Sequence, residues 1–169
     1  PLQRVLATAR DLASELIQTH VDGRDLMESQ VARIIGELQE RLLFTAPREP
    51  SGYAEFDPTQ FLEVLTEEMR AELDRKAEIV GRERLSFILR IEYLRTIDFR
   101  WQNHLEALEE LREAVYLRGY AQRNPLLEYK LEGFKIFDEL LERIREELAR
   151  RMFAIKAQGM EERRPVAPA

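Results

Sequence analysis

Cysteine is absent from the chain, which excludes disulfides, zinc knuckles and cysteine nucleophiles. Histidine occurs only twice, at His20 and His104, and neither follows a glutamate at the spacing of a carboxylate-bridged dimetal bundle, so no metal site is expected. Glycine and proline number seven each in 169 residues, too few to break the chain often. The residues after the glycines are Arg24, Glu37, Tyr53, Arg82, Tyr120, Phe134 and Met160. None is lysine, so the phosphate-cradling loop of a nucleotide enzyme is missing, and the expectation is a chain with no cofactor and no catalysis of its own. There is no apolar run long enough for a membrane span. There is also no basic segment followed by an apolar core, as a secretory signal would show. A soluble cytoplasmic protein is the default. The chain opens at Pro1 in helical pattern, as expected of an excised piece of a longer protein as much as of a processed one.

What the chain has in abundance is charge and helical periodicity. It is 44% hydrophobic and 34% charged, a composition of surface-rich helices able to bury one domain or two small ones. The net charge of −6 is unevenly spread. Residues 1–81 carry 9 Lys and Arg against 16 Asp and Glu, a net of −7, while residues 117–125 carry two arginines and no acid. Nucleic-acid binding is disfavoured, because it needs clustered cations to neutralise phosphates.

Leu2, Val5, Leu6, Ala9, Leu12, Leu16 and Ile17 mark a first helix ending near His20, where Asp22 and Gly23 offer turn chemistry. A second is expected to be capped by Asp25, with Glu28 completing a capping box. Its inner face is Val31, Ile34, Ile35, Leu38 and Leu42. Pro47, Pro50, Gly52 and Pro58 make residues 45–57 the one substantial loop, and Asp57-Pro58 is a helix start. Phe61, Leu65, Met69 and Leu73 form the face of a third helix, before Gly81 breaks or bends the chain.

Two long stripes follow. Leu94, Ile97, Trp101, Leu105, Leu108, Leu111 and Val115 recur in steps of three and four, as do Leu127, Leu131, Phe134, Phe137, Leu141, Ile144, Leu148, Met152 and Ile155. The short connection between them predicts an antiparallel helical hairpin. Its core is expected to be Trp101, Leu105, Leu108, Phe134, Phe137 and Leu141, with Trp101 filling the interior and His104 at the edge of the stripe. The connection itself is basic. Gly119 permits a turn that other residues resist, and Asn124-Pro125 restarts a helix, so Tyr120 is placed near the apex. From the residues alone, Tyr120 either grips a partner with its flat face and hydroxyl, helped by Arg118 and Arg123, or folds back to cap the hairpin.

The run from Ile97 to Phe137 resembles the C-terminal helical region of the SecA family, the ATP-driven motors of bacterial protein export. The resemblance rests on Trp101, His104-Leu105, Leu111-Arg112, Leu117-Arg118-Gly119-Tyr120-Ala121-Gln122, Asn124-Pro125, Glu128-Tyr129-Lys130, Glu132 and Phe134. Lys76-Ala77-Glu78-Ile79-Val80-Gly81 extends it upstream, so that it covers residues 1–157. The chain departs from the common pattern at Phe99, Arg100, Asn124 and Gly133. The resemblance implies a helical wing domain over 1–81, the two-helix finger of the helical scaffold over 82–157, and a flexible tail or linker over 158–169. It further implies that Leu117, Arg118, Gly119, Tyr120, Gln122, Arg123 and Asn124 meet the preprotein and the SecY channel. ATP and magnesium would then belong to motor domains outside this chain, and the remaining SecA domains would be further partners. The parent would lie in the cytoplasm, peripherally associated with the inner face of the plasma membrane.

Two other classes stand beside this reading. One is a stand-alone helical adaptor recognising a folded partner through its acidic helices. The other is an enzyme with paired carboxylates in a helical pocket, although no acid here stands out as tuned.

Overall fold

The computed structural model describes residues 2–118 and 124–156, and among them it holds five α-helices and no strand. In chain order these are α1 (Leu2–His20), α2 (Glu28–Leu42), α3 (Pro58–Val80), α4 (Arg82–Arg118) and α5 (Pro125–Ala154). The all-α expectation holds, and local chemistry accounts for most of the boundaries. At the start of α3, Asp57 Oδ1 accepts from the Gln60 amide at 2.8 Å while Gln60 Oε1 accepts from the Asp57 amide at 3.2 Å. Two of the amides left over at a helix start are thereby satisfied, with Pro58 in the first turn. Gly81 has φ +89° and ψ 130°. Its amide donates to Ala77 O at 3.0 Å and its carbonyl accepts from Leu85 at 2.9 Å, so one glycine in a conformation that L-residues resist both ends α3 and begins α4.

The capping box expected at Asp25 and Glu28 does not form. Instead α2 starts at Glu28 after Met27, whose amide donates to Gln30 Oε1 at 3.0 Å. Leu26 is buried, so packing of that apolar side chain, rather than an aspartate cap, places the entry to the helix.

The packing divides the chain into two units, one comprising residues up to 90 together with those from 146 onward, the other residues 91–145. The sequence boundary after Gly81 separates two helices. In space, Leu85 and Leu89 of α4 and Ala149, Met152 and Phe153 of α5 bury in one apolar cluster with α1, α2 and α3. Within that unit α1 offers Val5, Ala9, Leu12, Ala13, Leu16 and Ile17 on one face, and the two alanines let α1 lie close to its neighbours α2 and α3.

The connection between α2 and α3 contributes to this core. Phe44 and Tyr53 are fully buried, Phe44 edge-on to Phe153 at 5.5 Å and Tyr53 edge-on to Phe61 at 5.3 Å. The Tyr53 hydroxyl donates to Glu68 Oε2 at 2.6 Å, and Arg48 Nε reaches Glu68 Oε1 at 2.9 Å. Burial, and then the hydrogen bond to Glu68 and its charge, push the Tyr53 hydroxyl well above the ordinary phenol range. Polar ties complete the unit. His20 Nε2 and Glu37 Oε1 are 2.7 Å apart, linking α1 to α2. Arg41 pairs with Glu146, and Arg150 donates to Glu40 O and Arg41 O in the last turn of α2. A cation at those carbonyls complements the negative end of the helix.

Candidate functional site: the hairpin of residues 91–145

Within the second unit the returning helices face each other as an antiparallel hairpin, as the stripes predicted. The expected core, however, is displaced. Trp101 is 45% exposed, Leu105 51%, Phe134 69% and Phe137 38%, while Leu108 and Leu141 are half-buried. The buried positions are instead Thr96, His104, Leu111 and Val115 on α4 and Leu140 and Ile144 on α5.

The reason lies in helical phase. Positions 96, 104, 111 and 115 recur close to the two-turn repeat of a packed seam, whereas 94, 101 and 105 lie on an adjoining face of the same helix. Both rows of α4 carry apolar residues, the inner one interrupted by Thr96 and His104, and the partner helix decides which one turns inward. Gly133 faces Leu108 with room to spare: a Cβ built there would sit 3.7 Å from Leu108 Cδ2, an ordinary contact.

His104, expected at the edge, is in fact 6% exposed, with the Trp101 ring at 5.3 Å on one side and the Phe137 ring at 5.8 Å on the other. The three rings form a continuous aromatic run from α4 to α5. Trp101 and Phe137 thus belong to one side of the hairpin, along with Leu105, and that side remains substantially apolar and exposed. His104 Nδ1 and Thr96 Oγ1 are buried without a hydrogen-bond partner among the described residues. Neither orphan was foreseen from the sequence, where His104 alone is placed, at the edge of the stripe.

The ends of the hairpin carry the expected interaction loop. Leu117, in the last turn of α4, is strongly exposed. Asn124 is exposed and its Oδ1 accepts from the Leu127 amide at 3.3 Å, with Pro125 as the first residue of α5. Asn124-Pro125 therefore restarts the helix as its side chains suggest. Arg118 closes α4, and its side chain lies outside the described residues. So do Gly119, Tyr120, Gln122 and Arg123, on which the sequence reading placed the contact with a partner. No described helix is long and apolar enough to cross a membrane.

Against known proteins, the family model described as the SecA wing and scaffold domain matches residues 2–156. The chain is 38% identical over 165 residues to a protein translocase subunit SecA of Treponema denticola, covering 95% of this chain and 18% of that protein. It is 52% identical over 87 residues to the SecA of Borrelia garinii subsp. bavariensis, covering 52% of this chain and 10% of that one. It is 31% identical over 156 residues to the SecA of Delftia acidovorans, covering 90% and 17%. The chain thus spans less than a fifth of the length of these relatives. With a family match running through all five helices, the chain belongs to the SecA family, whose wing and scaffold region it represents.

Proposed function

We propose that residues 91–145 act as the polypeptide-engaging finger of an ATP-driven protein translocase. In this reading the loop of Leu117, Arg118, Gly119, Tyr120, Gln122, Arg123 and Asn124 meets an unfolded preprotein at the cytoplasmic mouth of the SecY channel. The observation that supports it best is the family match across residues 2–156, combined with two long helices joined by only a few basic and aromatic residues. A tyrosine suits such a tip, because its ring and hydroxyl grip varied side chains and backbone without demanding one sequence. The arginines supply donors for carbonyls and acidic groups.

The chain itself is then non-catalytic. Nucleotide and magnesium would be held in the additional length that the relatives possess, and motion generated there would reach the loop through α4, whose hydrogen-bonded turns pass displacement along the axis. The same additional length offers a cover for the apolar side bearing Trp101, Leu105, Phe134 and Phe137, since clustered exposed apolar side chains mark interaction surfaces. The test is Tyr120→Ser in the intact translocase. Translocation into vesicles should fall several-fold while helicity and thermal unfolding of the protein stay unchanged. Full translocation by that variant, or a collapse of helicity, would contradict the reading.

A further inference from the structure

Lys76 stands at a core position of α3, in phase with Met69, Leu73 and Val80, and is only 3% exposed. A lysine is rarely buried so completely unless its charge is fully matched. Here each proton of the ammonium group has a destination. Glu72 Oε1 lies 2.6 Å away, one turn earlier on the same helix. The other two partners are backbone carbonyls of a different helix, Met152 O at 3.3 Å and Phe153 O at closer range, and the cation also sits 5.6 Å from the Phe153 ring centroid.

Those two carbonyls are where α5 stops. The helix ends at Ala154, and Ile155 and Lys156 leave it. Nothing in the local sequence requires that end, since Ile155, Lys156, Ala157 and Gln158 contain no glycine or proline and Gly159 is the first breaker. In a continuing α-helix Met152 O would accept from the amide of residue 156 and Phe153 O from that of residue 157. In the structure Met152 O instead takes the Ile155 amide at 3.3 Å, the tightened geometry of a last turn, together with the Lys76 ammonium. The Lys76 ammonium of α3 thus sits at two carbonyls that a further turn of α5 would use.

We propose that Lys76 is a latch that sets the length of α5 from outside the helix: with α3 docked, its ammonium group occupies the terminal carbonyls and stops α5 at Ala154. When α3 moves away or the ammonium is removed, the carbonyls are released and α5 runs on through residues 155 and 156. The length of α5 is then coupled to the docking of α3. This goes beyond the role assigned to the finger loop and does not depend on it.

Amide hydrogen exchange read residue by residue on the full chain tests the latch. In the unchanged protein the amide of residue 156 should exchange at a rate near that of an unstructured peptide. In Lys76→Met, which keeps the stem and removes the cation, it should slow by ten-fold or more, with helical carbon shifts appearing at 155 and 156, while Lys76→Arg should restore fast exchange. Should Lys76→Met fail to fold, Glu72→Gln decides the matter. It leaves the ammonium in place but removes its anionic anchor, and slowing of at least three-fold at 156 is expected. A folded Lys76→Met in which the amide of 156 still exchanges freely overturns the proposal, as does an unfolded Lys76→Met together with a Glu72→Gln profile identical to that of the unchanged protein.

Discussion

Replacing Tyr53 by phenylalanine isolates the one hydroxyl that fixes the connection between α2 and α3. The ring would keep its place, fully buried and edge-on to Phe61 at 5.3 Å. Only the 2.6 Å hydrogen bond to Glu68 Oε2 would be lost, and Glu68, whose side chain is 13% exposed, would be left with Arg48 alone. A hydrogen bond to a charged acceptor contributes about 1.5–3 kcal/mol, and an abandoned buried oxygen costs its full desolvation. Because Glu68 retains the Arg48 pair, a loss near the middle, about 2 kcal/mol, is expected. For a chain of this size that lowers the melting midpoint by roughly 4–8 °C.

Urea and thermal unfolding followed by circular dichroism would measure it, and the pH dependence gives an independent sign. The folded-state pKa of Tyr53 is raised above its ordinary value of 10.0. The unfolded chain therefore loses this proton first, and the stabilisation, complete below pH 10, is lost as pH climbs beyond it. Tyr53→Phe should lack that component of the alkaline decline. A variant within 0.5 kcal/mol of the parent (a margin ordinary for a silent surface change), or one with the same alkaline profile, would refute the reasoning.

Other substitutions probe the same physics elsewhere. Asp57→Ala removes the acceptor for the Gln60 amide and should cost about 1 kcal/mol in urea unfolding. Gly133→Ala should stabilise the protein by about 0.5–1 kcal/mol, because a helix-interior glycine is entropically costly and the new methyl would meet Leu108 at an ordinary 3.7 Å. Thr96→Val deletes a buried hydroxyl without a partner among the described residues and should raise the unfolding midpoint, by about 1 kcal/mol in free energy. A destabilised Thr96→Val would show that the hydroxyl is satisfied in solution.

Much of the fold was legible because local signals and packing agree. The α1 stripe, the Asp57-Pro58 start, the break at Gly81 and the restart at Asn124-Pro125 each rest on chemistry confined to a few neighbouring residues. The failures have a common cause in contacts remote in sequence. Residues 94, 101 and 105 and residues 96, 104 and 111 are two adjoining rows of one helix, and a periodicity that fits both cannot state which will meet α5. The burial of Phe44 within a proline-rich connection depends on Phe153, more than a hundred residues away, and that of Tyr53 on Phe61 of the following helix. The end of α5 was placed too late, since its terminal carbonyls are taken by Lys76 of α3. One signal for that was readable: a lysine in phase with Met69, Leu73 and Val80 is a charge at a core position. Of the expected contact loop, the flanks Leu117 and Asn124 are exposed, and Gly119, Tyr120, Gln122 and Arg123 fall outside the described residues.

The central claim is that the loop between α4 and α5 touches translocating polypeptide. Its most direct measurement places a photoreactive amino acid at position 120 of the intact translocase, stalls an export substrate in the channel with ATP present, and maps the adducts after illumination. The account predicts adducts with the stalled substrate that need both substrate and nucleotide, and few or none from a control at the exposed Phe99 on α4. Adducts confined to residues of the hairpin's own helices, or equal yields from positions 120 and 99, would contradict it.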